Sequence, residues 1–298
     1  MSAITLLDGS IGQELVKRSA DRITPLWSTQ VMLDHPEMVG EVHRDYFDAG
    51  ATVATSNTYA VHRSRLVRVG LEDKVAELIG TALSQARTAQ RAHGSGRIAG
   101  SLGPLLASYR PDLEPDIGDA AEKFAELVEL MEDDVDLFLI ETVSSVKEAT
   151  GALSGTATTD KPVWLALTVQ DDDGTYLRSG ETLQDIKPLI DRFRPDAVLI
   201  NCSRPEVVAD ALEIVKRFGL PFGAYANGFT GISDAFKAEA PTVDTLERRV
   251  DMGPEAYSRI AMGWVGQGAT ILGGCCEVGP DHIARLAQDL RAAGHKIV

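Results

Sequence analysis

Three cysteines occur in the chain, and each closes an apolar run of the kind that forms a buried strand. Cys202 ends Leu199-Ile200-Asn201-Cys202, while Cys275 and Cys276 follow Ala269-Thr270-Ile271-Leu272 across Gly273-Gly274. An odd number of thiols does not make a disulfide framework. Taken alone, Cys202 reads as a small buried hydrophobe. The adjacent pair reads differently. Successive strand side chains point to opposite faces, so Cys275 and Cys276 reach one ion only where the backbone bends sharply, and two glycines permit that bend. Three thiolates brought together make a soft site suited to Zn²⁺, with its fourth position open. With no histidine beside the thiols, the chemistry indicated is chemistry on another sulfur.

The ends of the other apolar runs carry further polar groups: Asp8, Thr55 to Tyr59, Ser101, Glu141, Asn201 and Asn227. Two carboxylates, three thiols and two amides form a coherent set if those ends meet. Each has a plainer reading by itself. Asp8 before Gly9 suits a turn aspartate bonding its own backbone, and Glu141 suits a helix cap or a solvated carboxylate.

A repeated alternation of strand and helix must position these groups. The runs at 4–7, 51–55, 97–101, 136–140, 162–169, 197–200, 221–225 and 269–272 are apolar rather than alternating, as in strands covered on both faces. Helical patterns fall between them. Asp34-His35-Pro36-Glu37 is a helix start with an early proline, and Thr182 with Asp185 is another. Ser203 and Glu206 have capping-box spacing, which predicts a helix directly after Cys202. Eight such units in 298 residues predict an α/β protein, a (β/α)₈ TIM barrel forming a single domain over 1–298. An open doubly wound sheet is the alternative. Barrels of this kind carry their sites at the carboxyl ends of the strands. The connection from 227 to 252 is unusually long, and is expected to cover the site or to reach a neighbouring subunit.

A net charge of −15, with no basic stretch to offset it, argues against nucleic acid or an anionic membrane surface as partner. No uninterrupted apolar run is long enough to span a bilayer. The first residues show no basic segment leading into an apolar one. A reducing cytoplasm, where free thiols persist, is the expected location.

These motifs resemble those of the homocysteine S-methyltransferase family, the zinc-dependent thiol methyltransferases. The resemblance runs along nearly the whole chain: Leu7-Asp8-Gly9, Thr55 to Tyr59, Gly100-Ser101-Leu102-Gly103-Pro104, Glu141-Thr142, Asn201-Cys202, and Gly273-Gly274-Cys275-Cys276 with Gly279-Pro280-Asp281-His282-Ile283. It implies a (β/α)₈ barrel in which Cys202, Cys275 and Cys276 hold Zn²⁺. Asp8 and Glu141 would grip the amino group of L-homocysteine, with Thr55 to Tyr59 near a small methyl donor. Trp27 falls where betaine-using members place an aromatic residue. Ser101, Asn201 and Asn227, at the same strand ends, are expected to contact substrate. The implied reaction moves a methyl group from a sulfonium or other onium donor, S-methylmethionine or S-adenosylmethionine first, to the zinc-bound thiolate of homocysteine, giving methionine. Betaine or methyltetrahydrofolate as donor, a different thiol or selenol as acceptor, and a non-catalytic structural zinc barrel are the alternatives. Two departures bear on the donor: Thr142 stands where betaine-using members carry tyrosine, and Glu277-Val278 replaces the Gly/Arg-Thr that commonly follows the cysteine pair. A homo-oligomer is compatible with the long connection.

Overall fold

The computed structural model describes residues 2–21, 24, 26–233, 236 and 246–298. The middle of the long connection, 234–235 and 237–245, lies outside the described residues. The apolar runs form β1 (Ala3–Leu6), β2 (Val53–Thr55), β3 (Arg97–Leu102), β4 (Leu137–Val143), β5 (Val163–Leu167), β6 (Ala197–Asn201), β7 (Phe222–Tyr225) and β8 (Ile271–Leu272). A further strand, β9 (Lys296–Ile297), pairs with the first half of β1. All nine are parallel in one sheet, ordered β2-β3-β4-β5-β6-β7-β8-β1-β9. Parallel neighbours in chain order require a crossover between each pair. A parallel bridge from Leu7 to Val53, with Thr52 N–H donating to Leu6 O at 2.7 Å, also links β1 to β2.

The crossovers are helical. In chain order they are α1 (Ile11–Ser19), α2 (Ser28–Asp34), α3 (Pro36–Ala49), α4 (Arg63–Leu66), α5 (Val75–His93), α6 (Ile117–Met131), α7 (Val146–Thr156), α8 (Lys187–Phe193), α9 (Pro205–Val215), α10 (Pro254–Gln267) and α11 (Pro280–Ala292). The early proline opens α3 as expected, and Gly50 at φ +108° stops it in the left-handed region where glycine is favoured. Thr182 and Asp185 form their capping box, although it leads into a 3₁₀ turn before α8. Ser203 does not cap α9. The helix is entered through Arg204, and the Ser203 hydroxyl turns inward to donate to Asn201 O and accept from Val169 N–H.

Apolar side chains on one face of the strands meet those of the helices in the main core. The intervening residues, among them Val53, Ala99, Leu139, Trp164, Leu199 and Ile271, pack on one another across the concave face. Carrying that two-residue period to the strand ends brings Thr55, Ser101, Glu141, Asn201 and Tyr225 to the same face. The sheet is therefore curled, with its polar residues gathered at the carboxyl rim. Among the described residues no helix is long and apolar enough to cross a membrane.

Candidate active site and metal centre

The sulfur atoms of Cys202, Cys275 and Cys276 all lie within 4.8 Å of one another, and all three are free thiols. Cys202 follows β6 directly and sits at φ +48°. The pair follows β8 across two glycines, but neither glycine has a positive φ. What they supply is room: a Cβ on Gly273 would fall 2.6 Å from Leu7 Cβ, and one on Gly274 would fall 2.0 Å from Val278 Cγ1. The turn is pinned by Gly274 N–H to Asp8 O (3.0 Å) and Cys275 N–H to Ala226 O (3.0 Å).

Thr142 hydroxyl donates to Cys202 Sγ at 3.3 Å. Asn201 holds it there, accepting from Thr142 N–H and donating to Thr142 Oγ1, each at 3.1 Å. The β4–β5 register shifts between Ile140 and Val143, and Thr142 adopts φ +61°. That irregularity lets consecutive residues serve one site, Glu141 facing the cavity and Thr142 the sulfur. Burial alone would raise the Cys202 pKa, yet hydrogen bonds from Cys275, Cys276, Thr142 and Tyr109 outweigh it and hold the thiol well below its usual value. Cys275 and Cys276, the donors in that exchange, are pushed up.

Each carboxylate accepts two hydrogen bonds, which leaves about half of its lone pairs free. Asp8 accepts from Thr55 N–H (2.6 Å) and Thr55 Oγ1 (2.7 Å). Glu141 accepts from Tyr225 hydroxyl at 3.0 Å and from the Ser101 hydroxyl. Burial raises the Asp8 pKa well above the carboxylate range and that of Glu141 to about 7. Two buried acids whose hydrogen-bond donors are all neutral would be favoured in their charged form by a neighbouring cation.

A cavity of about 370 Å³ joins these groups. Of the residues singled out in the sequence, Asp8, Trp27, Thr55, Tyr59, Ser101, Glu141 and the three cysteines line it. Asn201 and Asn227 are buried but do not line it. Asn201 reaches Thr142 instead, and Asn227 Oδ1 is buried with no hydrogen-bond partner among the described residues. Tyr225 was missed, although the period running from Gly223 places it on the concave face. Trp27 packs on Gly12 and meets Tyr59 edge-on at 6.4 Å. The described parts of the long connection bear on the site: Phe236 and Leu246 line the cavity, and Leu246 packs in a cluster with Tyr109, Cys202 and Phe229.

A sequence profile described as Homocysteine S-methyltransferase matches residues 5–290. The chain belongs to this family. It is 29% identical to the Homocysteine S-methyltransferase of Escherichia coli K12, over 95% of this chain and 94% of that one. It is 26% identical to the Selenocysteine methyltransferase of Astragalus bisulcatus, over 93% and 90%. The metallated form of the Escherichia coli homocysteine methyltransferase MmuM superposes with a TM-score of 0.81 at 27% identity, covering 97% of this chain and 96% of that chain. The protein is thus a methyltransferase of the homocysteine S-methyltransferase family, with an α/β fold like that of MmuM.

Proposed function

We propose that this chain transfers a methyl group from a sulfonium donor, S-methylmethionine or S-adenosylmethionine, to the sulfur of L-homocysteine, giving methionine. The observation that carries the reading is a single cavity in which three converging thiols share a wall with two cation-seeking carboxyls. The thiols fit Zn²⁺: tetrahedral Zn–S bonds of about 2.3 Å set sulfurs about 3.8 Å apart, so sulfurs within 4.8 Å need close by no more than about 1 Å. Three sulfur ligands opening onto a cavity favour a catalytic over a structural site, which closes with four protein ligands. When bound there, Zn²⁺ supplies the Lewis acidity that keeps the homocysteine sulfur deprotonated at neutral pH.

The chain's own residues do the rest. Asp8 and Glu141 take the homocysteine ammonium between them, fixing the α-carbon and hence the reach of the sulfur. Ser101, Tyr225 and Thr55 hold those carboxyls in place. The acceptor sulfur attacks the methyl carbon in line, the donor S–C bond breaks, and its electron pair stays on the donor sulfur as a neutral thioether. The thiol proton leaves to solvent. No general acid is needed, because the leaving group sheds a positive charge. Trp27 borders the path of that cation. The bridge between β1 and β2 supports a closed (β/α)₈ barrel, with 1–298 acting as one domain. The relative named as a selenocysteine methyltransferase supports a selenol as second acceptor.

Purified protein should hold one zinc per chain and form methionine from homocysteine and S-methylmethionine. C202A and C276A should lose both the metal and the transfer while still folding. Metal loss with transfer intact would remove the thiols from the reaction.

A further inference from the structure

The cavity that holds the thiols is also lined by Arg65, a residue of α4. Its guanidinium is fixed on three sides. Nε and Nη2 donate to Pro104 O at 3.1 and 2.9 Å, and Nη2 also donates to Ser108 Oγ at 3.2 Å. The group lies over the Tyr59 ring at 5.4 Å, and Tyr59 hydroxyl pairs with the same Ser108 Oγ at 2.7 Å. Among the described residues it makes no ion pair, and Nη1 makes no hydrogen bond. The side chain is half-buried, its direct partners are all neutral, and the Glu148 carboxylate acts on it only from beyond ion-pair distance, so its free edge remains suited to an anion. Burial lowers its pKa, as expected for a cation so placed.

The acceptor does not supply that anion. Homocysteine bears its ammonium and carboxylate on one carbon, so an ammonium between Asp8 and Glu141 keeps the carboxylate beside them. Arg65 touches neither acid, nor Thr55, Ser101 or Tyr225, which hold them. Its partners belong to the Tyr59 segment and the 104–108 loop. The cavity is therefore lined by groups of both signs, the two acids and the thiols in one set of hydrogen bonds and Arg65 in another. A zwitterion with a methylated cationic centre and a carboxylate tail matches both, methyl toward the thiols.

Resting on the methyltransferase reading above and on its sulfonium donor, we infer that Arg65 is a specificity residue that binds the carboxylate of that donor, an amino-acid sulfonium. Because Arg65 covers one face of Tyr59, that ring serves as the arginine's platform more than as a seat for the sulfonium.

The test compares S-methylmethionine with its decarboxylated counterpart, (3-aminopropyl)dimethylsulfonium, at fixed homocysteine and zinc. Losing a charge-assisted contact of this kind is worth roughly 10- to 100-fold. The wild type should prefer the carboxylated donor in kcat/KM by about that factor. In R65M the preference should fall to within about threefold, through a raised KM for S-methylmethionine, with R65K intermediate and the KM for homocysteine little changed. A ratio between donors is insensitive to the folded fraction, and R65Q serves if R65M does not fold. Equal losses on both donors would mean a structural arginine, and a raised homocysteine KM would assign it to the acceptor. Either overturns the inference, as does a wild type without preference. Should neither donor methylate homocysteine, the proposed transfer from a sulfonium to homocysteine fails. Calorimetric binding of S-methylmethionine to wild type and R65M then still decides whether Arg65 holds a carboxylate.

Discussion

Glu141 is a buried acid whose pKa rises to about 7, chiefly through burial, with hydrogen bonds from Ser101 and Tyr225 pulling it down. The folded chain therefore favours the protonated form. Its contribution to stability is whole below the ordinary value of 4.5 and disappears as the pH rises through about 7. A ligand ammonium reverses that preference. Methionine, the expected product, carries the ammonium and no thiol to titrate. Its dissociation constant should weaken roughly tenfold from pH 8 to pH 6, while E141Q should bind weakly with little slope. Calorimetry across that range measures both, and a flat wild-type profile would remove Glu141 from ammonium recognition. Beside it, Thr142 acts on Cys202 rather than on substrate. Loss of an outer partner of a metal ligand typically costs about 10- to 100-fold in affinity. T142V should lose zinc affinity by that order in chelator competition, and N201L should match it, because both cut the same chain of hydrogen bonds.

At the level of elements, the strand ends were readable because their apolar runs and helix starts are local signals. Nine of the eleven expected site residues line the cavity; most sit at those strand ends, whereas Trp27, ahead of α2, is indicated by the family resemblance alone. The misses have long-range causes. Asn201 lies on the concave face as its period requires, but the shift in β4 brings Thr142 across to claim its side chain. Ser203 has the right spacing for a cap, yet the left-handed turn at Cys202 presents its hydroxyl to Val169. Ile297 and Val298 are too short an apolar run to announce β9, which forms by pairing with β1. Glycines show the same limit. Sequence alone does not measure the space at a glycine: a Cβ on Gly9 would meet Val278 O at 2.0 Å, while one on Gly80 meets nothing within 4 Å. Val278 O also accepts from Ser10 N–H and Tyr46 hydroxyl, tying the Asp8 loop to the cysteine turn. G9A should therefore cost about 2 kcal/mol or more and loosen zinc. G80A, inside α5, should stabilise by about 0.5–1 kcal/mol. Thermal melts with zinc titrations separate the two.

For the molecule as a whole, the question is whether the metal holds the fold or only serves the site. The main core lies between sheet and helices, and the concave cluster fills the sheet's interior. The thiols sit above both, with Cys275 merely resting against the inner cluster. A chain of 298 residues with such a core does not depend on one ion for its burial. Zinc bound only by the folded state adds RT ln(1 + [Zn]/Kd), about 4 kcal/mol at a thousandfold excess over Kd. The chelated protein should therefore keep its helical circular dichroism and melt cooperatively at a lower temperature, with the midpoint rising as zinc is added back. C202A should melt near the chelated wild type and show no response to zinc. Collapse of the helical signal on chelation at 25 °C would instead make the three cysteines a structural clasp, and the open coordination position would lose its meaning.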